Sequence, residues 1–286
     1  MTNSFFTADR LSDSVTRIAG QANELCYLIE GSERALLIDG LTGAGSLKAF
    51  VEELTDKPVT LALTHGHLDH SGAAWEYGTA WLHPDDIPLL YTFSEEARYN
   101  HVRARNAVSP VCREDIIPGC NVKTLPLYEG DIFDLGGIFI EAIAVPGHTR
   151  GTLVFLDRAA RAVYSGDACN ANTLLCLPGS ASITEYLGAL EHFRQYAGDF
   201  DVMYGGHGKT AVPVSIIDDG IAMCKRILSG TDEAISVQSM RGAPAFLASA
   251  RGESWLPQCG GYCNIMYSRD KLYPAQRPVI KDKPII

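Results

Sequence analysis

The stretch LALTHGHLDHSG, residues 61–72, decides how the rest of this 286-residue chain is interpreted. It lies at the end of an apolar run, 59–63, that predicts a buried β-strand. The six residues that follow Thr64 hold three histidines and one aspartate. Neighbouring imidazoles repel one another when protonated and contribute little to a core, whereas neutral imidazole and carboxylate are good ligands for zinc and similar ions. We therefore expect a metal site just beyond this strand.

The spacing of these residues favours two metal ions over one. Side chains alternate between the two faces of an extended segment, so His65 and His67 can point to the same side and bind one ion. Asp69 and His70 are adjacent and lie beyond the strand end, so a tight turn is needed to bring them to a neighbouring ion. A chance run of surface histidines is the alternative interpretation.

The motif THGHLDHSG, 64–72, resembles the signature of the metallo-β-lactamase-fold hydrolase superfamily. Three later segments resemble the remaining motifs of that superfamily in the same order. They are PGHTRGT (146–152), SGDA (165–168) and GGHG (205–208). The resemblance implies an α/β fold, an αβ/βα four-layer sandwich of two mixed β-sheets with helices on the outer faces.

The resemblance also implies seven metal ligands at two neighbouring sites. They are His65, His67 and His148 for the first ion, Asp69, His70 and His207 for the second, and Asp167 as a bridge between both. A bound divalent ion lowers the pKa of water from about 15.7 to around 7, which implies a metal-bridging hydroxide as the nucleophile. In the family an aspartate at the position of Asp69 orients this hydroxide, so Asp69 is the expected catalytic residue. We expect two divalent ions, Zn²⁺ in the first place, with Mn²⁺ or Fe as alternatives.

The segment 85–120 is the least regular part of the chain, and the resemblance implies a variable helical insert that covers the metal cleft. Ser94, followed by two glutamates, predicts a capped helix over 94–105. The candidate substrate-binding residues are Tyr91, Phe93, Tyr99 and His101 of the insert, together with Asn170 after the bridging aspartate. The alternative is that the aromatic side chains only pack the insert against the domain.

Residues 1–230 are expected to form the catalytic domain, and 231–286 a C-terminal extension packed on the same domain, where it adds a strand or covers a sheet edge. Two helices are predicted in the second half of the catalytic domain. A Ser182-x-x-Glu185 capping box indicates a helix over 182–197. A second helix is predicted to begin near Pro213.

Composition excludes some classes of function. The net charge of −10 disfavours a polyanion-binding surface, so nucleic acid is not an expected partner. No apolar run approaches the roughly 20 residues that span a bilayer, and the first residues lack the pattern of a secretion signal. The eight scattered cysteines indicate reduced thiols. We expect a cytoplasmic protein without membrane contact that acts on a small molecule, and we leave a homodimer open.

These patterns favour a dinuclear metal-dependent hydrolase of a small ester, thioester or lactone. A metal-dependent phosphodiesterase is the first alternative, because arginines in the insert are suited to binding phosphate. A redox iron protein of the same fold is the second alternative.

Overall fold

Two β-sheets lie face to face with helices outside them in the computed structural model of the chain. The structure describes residues 4–105, 110–208, 211–239, 242–252 and 256–274. The expected four-layer α/β sandwich is confirmed.

The first sheet has seven strands that lie side by side in chain order. They are β1 (Thr7–Arg10), β2 (Val15–Ala19), β3 (Leu25–Glu30), β4 (Ala35–Ile38), β5 (Val59–Ala62), β6 (Thr79–Leu82) and β7 (Lys123–Pro126). Neighbours from β1 to β4 are antiparallel, and those from β4 to β7 are parallel. Parallel neighbours need crossover connections, which contain α1 (Leu47–Glu52), α2 (Ala74–Tyr77) and then the pair α3 (Ile87–Leu90) and α4 (Glu95–Arg105). The insert is therefore the crossover from β6 to β7.

The second sheet has six strands. In their spatial order they are β14 (Val212–Pro213), β13 (Val202–Gly205), β11 (Ala162–Gly166), β10 (Leu153–Asp157), β9 (Phe139–Ala144) and β8 (Ile132–Asp134). Only β11 and β13 are parallel among the paired strands of this sheet, and α5 (Ile183–Phe193) lies in the connection between them. The helix α6 (Ile216–Ser229) follows β14 and packs beside α5.

A third, smaller sheet differs from the expectation for the C-terminal extension. Its strands are β12 (Thr173–Leu174), β17 (Ile265–Tyr267), β16 (Pro244–Leu247) and β15 (Ile235–Gln238). The extension thus pairs with a two-residue strand of the preceding region instead of adding a strand to either main sheet. The short strands of the extension form a small apolar cluster, in which Ala245, Leu247 and Met266 are buried. The boundary at residue 230 stays a prediction, and 275–286 lie outside the described residues.

Alternation along the strands explains the layers. In β3, Tyr27 and Ile29 lie in the core between the two sheets, whereas Cys26 and Leu28 belong to the core beneath α1. Successive side chains of a strand point to opposite faces, so a strand with apolar residues at every position is buried on both sides. The same alternation occurs in β10 on the other side of the sandwich. The result is a rigid platform from whose edge the strand-end loops project.

The helices of the second half partly follow the sequence prediction. The capping box at Ser182 is present, and α5 ends at Phe193 in a 3₁₀ turn, Arg194–Tyr196. The next helix begins at Ile216, three residues later than expected, because Pro213 lies in the edge strand β14, a position that proline tolerates. This helix has 14 residues and is the longest one in the described ranges. No helix in the described part of the chain is long and apolar enough to cross a bilayer.

The capping box of α5 gives a test of local stability. Ser182 Oγ accepts a hydrogen bond from the Glu185 N–H, and the Glu185 carboxylate accepts one from the Ser182 N–H at 2.7 Å. Ser182→Ala removes the hydroxyl acceptor and is expected to lower the free energy of unfolding by about 1 kcal/mol in urea titration. Ser236→Ala, on the exposed face of β15, is the matched control with a change below about 0.5 kcal/mol. Equal stabilities of the two variants would contradict the assignment of the cap.

Candidate metal centre

Loops that follow four strands bring the seven expected ligands to one edge of the sandwich. The loop after β5 carries four of them, and the turns after β9, β11 and β13 carry one each. Three overlapping groups have ligand atoms that all lie within 4.8 Å of one another. The groups are His65, His67 and His148; His65, His70 and Asp167; and Asp69, His70 and His207.

Asp167 lies between the two sets of ligands expected for the separate ions. Its Oδ2 atom is 3.5 Å from Nε2 of His148 and 3.6 Å from Nε2 of His207. Its Oδ1 atom is 3.9 Å from Nε2 of His70. One carboxylate therefore faces members of both sets, which is the position that a bridging ligand requires.

Four imidazoles are held through Nδ1, which leaves Nε2 directed into the cluster. The Nδ1 partners are Thr64 Oγ1 for His65 (3.0 Å), Asp39 Oδ2 for His70 (2.9 Å), the Leu174 carbonyl for His148 (3.0 Å) and the Asn23 carbonyl for His207 (3.3 Å). The Thr64 hydroxyl donates its own hydrogen to Asp39, so it accepts from His65. Because each partner accepts, each Nδ1 carries a hydrogen, and Nε2 is the atom left to bind a metal ion once the ring is neutral. Nε2 of His148 also lies 2.9 Å from Nδ1 of His67.

Buried atoms without partners show that these residues fit divalent metal ions. Within the described ranges, Nε2 of His65, Nε2 of His70 and Oδ1 of Asp167 are buried and make no hydrogen bond. Each unsatisfied buried polar atom costs about 1–3 kcal/mol, so three in one cluster are unfavourable without a ligand. Imidazole nitrogen and carboxylate oxygen are the donors that divalent transition metals prefer. The donor set and its orphaned lone pairs therefore match the ions that the fold family implies.

Electrostatics keeps most of the imidazoles neutral. Burial, helped by the neighbouring His148, lowers the pKa of His67 to about 3. Burial likewise lowers the pKa of His65 well below its ordinary value and also lowers that of His148. His70 differs, because burial is outweighed by the Asp39 carboxylate, which raises the pKa of His70 to about 10. Metal binding by His70 would therefore release a proton, whereas the other three imidazoles are already deprotonated at neutral pH.

The two carboxylates of the cluster remain ionised. Burial alone raises the pKa of Asp69, but the adjacent His70 and His207 outweigh it and hold that pKa well below its usual range. The same competition between burial and these imidazoles lowers the pKa of Asp167. Both side chains are thus ready to bind cations at neutral pH.

Asp39 supports the loop 64–70, which carries the first four expected ligands. One carboxylate oxygen accepts the Thr64 N–H at 2.8 Å, and the other contacts Nδ1 of His70. The side chain therefore fixes both ends of the loop that carries the first four ligands.

Asp86 is a supporting residue that the sequence analysis missed. Its buried carboxylate accepts hydrogen bonds from the Gly66 N–H (2.8 Å), the Thr149 hydroxyl (2.7 Å) and the Gly151 N–H (2.9 Å). It thereby ties the loops of His65 and His148 together. An aspartate after a His-Pro turn carries no sequence signal that separates this role from turn formation.

Two of the expected substrate-binding residues lie at the metal cluster. The ring centroid of Phe93 is 6.1 Å from that of His67, and His101 Nε2 is 3.4 Å from Asp69 Oδ2. Burial lowers the pKa of His101 to about 4, although the Asp69 carboxylate opposes this shift.

The other three expected contacts lie farther out or within local turns. Tyr91 and Tyr99 line a cavity of about 920 Å³ in the insert, together with Phe93. The side-chain oxygen of Asn170 accepts the Asn172 N–H at 2.9 Å, so this amide closes its own turn. Their contacts with substrate stay predictions.

Known proteins match this chain in sequence and in structure. A family model described as the metallo-beta-lactamase superfamily matches residues 19–216, more than half of the chain. The chain therefore belongs to the metallo-beta-lactamase superfamily. This membership and the cluster of imidazoles and carboxylates make it a metal-dependent hydrolase.

Two relatives in sequence and one solved structure illustrate the match. Acyl-coenzyme A thioesterase MBLAC2 of Homo sapiens is 25% identical over 202 residues, 64% of this chain and 72% of the relative. Atrochrysone carboxyl ACP thioesterase of Aspergillus fumigatus is 24% identical over 212 residues, 70% of this chain and 58% of the relative. The crystal structure of DIM-1 metallo-beta-lactamase superposes with a TM-score of 0.56 over 78% of this chain and 98% of that chain, at 12% identity, which supports the fold alone.

The contact between Asp39 and His70 predicts that replacing one carboxylate oxygen of Asp39 by an amide nitrogen lowers the metal affinity of the protein. Asp39→Asn places an amide next to Nδ1 of His70, which favours a hydrogen on Nε2 and blocks that atom as a ligand. We expect metal affinity to fall about 10- to 100-fold, measured by competition with a chromogenic chelator. Asp201→Asn is the control, since Asp201 is an exposed partner of Arg161 far from the cluster. Unchanged affinity in Asp39→Asn would contradict the role of this carboxylate.

Proposed function

We propose that this protein hydrolyses acyl thioesters at a site that holds two divalent metal ions. The observation that carries the proposal is the convergence of five imidazoles and two carboxylates on a single edge of the sandwich, with Asp167 facing both sets of ligands. Two relatives that are named thioesterases favour a thioester over the ester and lactone alternatives.

The proposed ligand sets are those of the sequence analysis. His65, His67 and His148 would hold one ion, Asp69, His70 and His207 the other, and Asp167 both. Zn²⁺ is our first choice because imidazole and carboxylate suit it, while the same donors accept Mn²⁺ or Fe. Ions bound there would supply a hydroxide at neutral pH and polarise the thioester carbonyl.

The protein's own residues would orient and accept a proton during the reaction. Asp69 is ionised, and its Oδ2 atom faces His207 and the insert, so this oxygen is available as a proton acceptor. The hydrogen bonds of Asp39 and Asp86 would keep the ligand loops in place without rearrangement. Such preorganisation is the main contribution that a rigid scaffold makes to a reaction of this kind.

The cavity in the insert would take the acyl group. Four aromatic side chains line it: Trp75, Tyr91, Phe93 and Tyr99. Phe93 lies both at the cavity wall and beside His67, so an acyl chain in the cavity would place its thioester end near the cluster. Glu95, Glu96, Arg98 and Arg113 also line the cavity, so the apolar part of the acyl group would lie against the aromatic side chains, where each buried methylene contributes about 0.8 kcal/mol.

Two of the insert's arginines, Arg98 and Arg113, do not favour a phosphodiesterase. The Arg98 guanidinium is buried over the Trp75 ring, and it donates to the Ile117 carbonyl. Arg113 pairs with Glu96 at the surface. Neither guanidinium is directed at the metal cluster by these contacts.

The cellular setting belongs to the same proposal. All eight cysteines are free thiols, which is typical of a reducing compartment, so we propose the cytoplasm. The net charge of −10 supports a small-molecule substrate over nucleic acid. A homodimer stays a prediction.

A direct test combines thioester turnover with metal removal. The purified protein is expected to release coenzyme A from acyl-coenzyme A, detected with a thiol reagent, and to contain about two metal ions per chain. Prolonged chelation and His67→Ala are each expected to lower turnover by about 100-fold or more, because a lost Lewis acid costs several kcal/mol in the transition state. His192→Gln, on the exposed side of α5, should leave turnover unchanged. Cleavage of phosphodiesters without cleavage of any thioester would overturn the proposal.

The proposed acyl cavity makes a separate prediction about chain length. Phe93→Ala removes the aromatic wall nearest the metal cluster and is expected to lower kcat/KM for a long-chain thioester about tenfold. The acetyl thioester does not reach the cavity, so its kcat/KM should change less than about threefold. Phe139→Ala, an exposed position on β9, is the matched control. An equal loss for both substrates would contradict this placement of the acyl chain.

A further inference from the structure

We propose that His101, on the insert helix α4, is a positioning residue of the reaction centre whose Nε2–H group holds the carboxylate of Asp69. This inference rests on the proposed hydrolysis of thioesters, because it assigns a task to the residue that would accept the proton. Three observations carry it: the contact of Arg105 with Nδ1 of His101, the place of the His101 Nε2 atom, and the surroundings of α4.

The tautomer of His101 is set by its neighbour on the same helix. Nη1 of Arg105 lies 3.1 Å from Nδ1 of His101, and the two residues are four positions apart, so they meet on one face of α4. A guanidinium has only hydrogen-bond donors, so Nδ1 of His101 must accept. An imidazole whose Nδ1 accepts is neutral and carries its hydrogen on Nε2.

The Nε2 atom of His101 is placed next to the expected catalytic carboxylate. It lies 3.4 Å from Oδ2 of Asp69, is buried, and makes no hydrogen bond within the described ranges. The His101 side chain is only 11% exposed, so water has little access to satisfy this donor. A small movement that shortens this distance and turns the N–H group toward Oδ2 would make a normal hydrogen bond, and catalytic hydrogen bonds are often long or poorly aligned before substrate binds.

The same carboxylate oxygen also faces His207. Nε2 of His207 lies 3.5 Å from Asp69 Oδ2 on the side of the metal cluster. In the proposed arrangement, His101 would approach this oxygen from the insert, and His207 is one of the expected ligands. The carboxylate would thus be fixed in rotation by a donor that does not compete for the metal.

Packing alone does not require a histidine at this position. The neighbouring Val102 is fully buried in a small apolar cluster that Tyr99 borders, and it attaches α4 to the domain. His101 instead presents a polar edge to a charged group, and an unsatisfied N–H there costs about 1–3 kcal/mol. In the proposed arrangement, the Arg105 guanidinium donates to Nδ1 of His101, and the Nε2–H group of His101 donates to the Asp69 carboxylate. The N–H group is then no longer unsatisfied.

The tautomer can be measured without any turnover. Zinc-loaded protein labelled with ¹⁵N in histidine is expected to give, in long-range ¹H–¹⁵N correlation spectra, a neutral His101 ring with its hydrogen on Nε2. Signals absent from the His101→Gln variant identify the ring. Arg105→Leu should produce a mixture of the two neutral tautomers, because the donor to Nδ1 is gone. A His101 ring with its hydrogen on Nδ1, or a doubly protonated ring, would overturn the proposal.

Kinetics separates positioning from substrate contact and from a structural role. His101→Leu is expected to lower kcat about 10- to 100-fold, with KM within about threefold of the original, the metal content unchanged and the unfolding midpoint nearly so. His101→Gln retains an N–H donor at a similar reach and is expected to recover about tenfold in kcat. His192→Leu, the matched exposed histidine of α5, should behave as the unchanged protein.

Three results would overturn the proposal. Equal losses of kcat in His101→Leu and His101→Gln would show that the hydrogen-bond donor at this position does not affect the reaction. A rise in KM at constant kcat would make His101 a substrate contact, and loss of metal or of folding in both variants would make it structural. Absence of thioester turnover in the unchanged protein would instead refute the proposed function, while the ¹⁵N spectra would still report on the tautomer.

Discussion

Five imidazoles and two carboxylates share one largely buried space, and this concentration of polar groups is the constraint on which the rest of the structure depends. Taken from water, each group needs either a hydrogen bond or a metal ion. For four of the five imidazoles the protein supplies a hydrogen-bond acceptor at Nδ1, through Asp39, Thr64 and the carbonyls of Leu174 and Asn23. The fifth, His67, contacts Nε2 of His148 through its own Nδ1 at 2.9 Å. The fold thus brings together a set of donor atoms that suits a cation before any ion arrives.

The platform beneath this cluster is stiff where its central strands are covered on both faces. The apolar strands β3 and β10 are buried on both sides, and their ends are followed by short loops. Asp86 then connects the loops that hold His65 and His148. One buried carboxylate therefore holds the two loops together through hydrogen bonds alone.

The sequence predicted the parts of this protein that local physics determines. The apolar run 59–63 located β5, and the capping box located α5, because both signals depend on neighbours in the chain. The helix start at Pro213 was wrong, since pairing with β13 placed that proline in a strand. The pairing of β12 with β17 and two of the three hydrogen bonds of Asp86 join residues more than sixty positions apart, for which a single sequence carries no local signal.

The candidate site divides in the same way. The seven expected ligands lie together in motifs, and the structure brings them to one place. Two of the four partners at Nδ1 are backbone carbonyls, which every residue type carries, so the sequence gives no signal for them. One of these carbonyls has a wider consequence. Leu174 belongs to β12, whose only strand partner in the described chain is β17 of the C-terminal extension. The extension therefore supports the carbonyl that orients His148. Shortening the chain at residue 230 would remove the strand that pairs with β12 and so loosen one of the expected metal ligands.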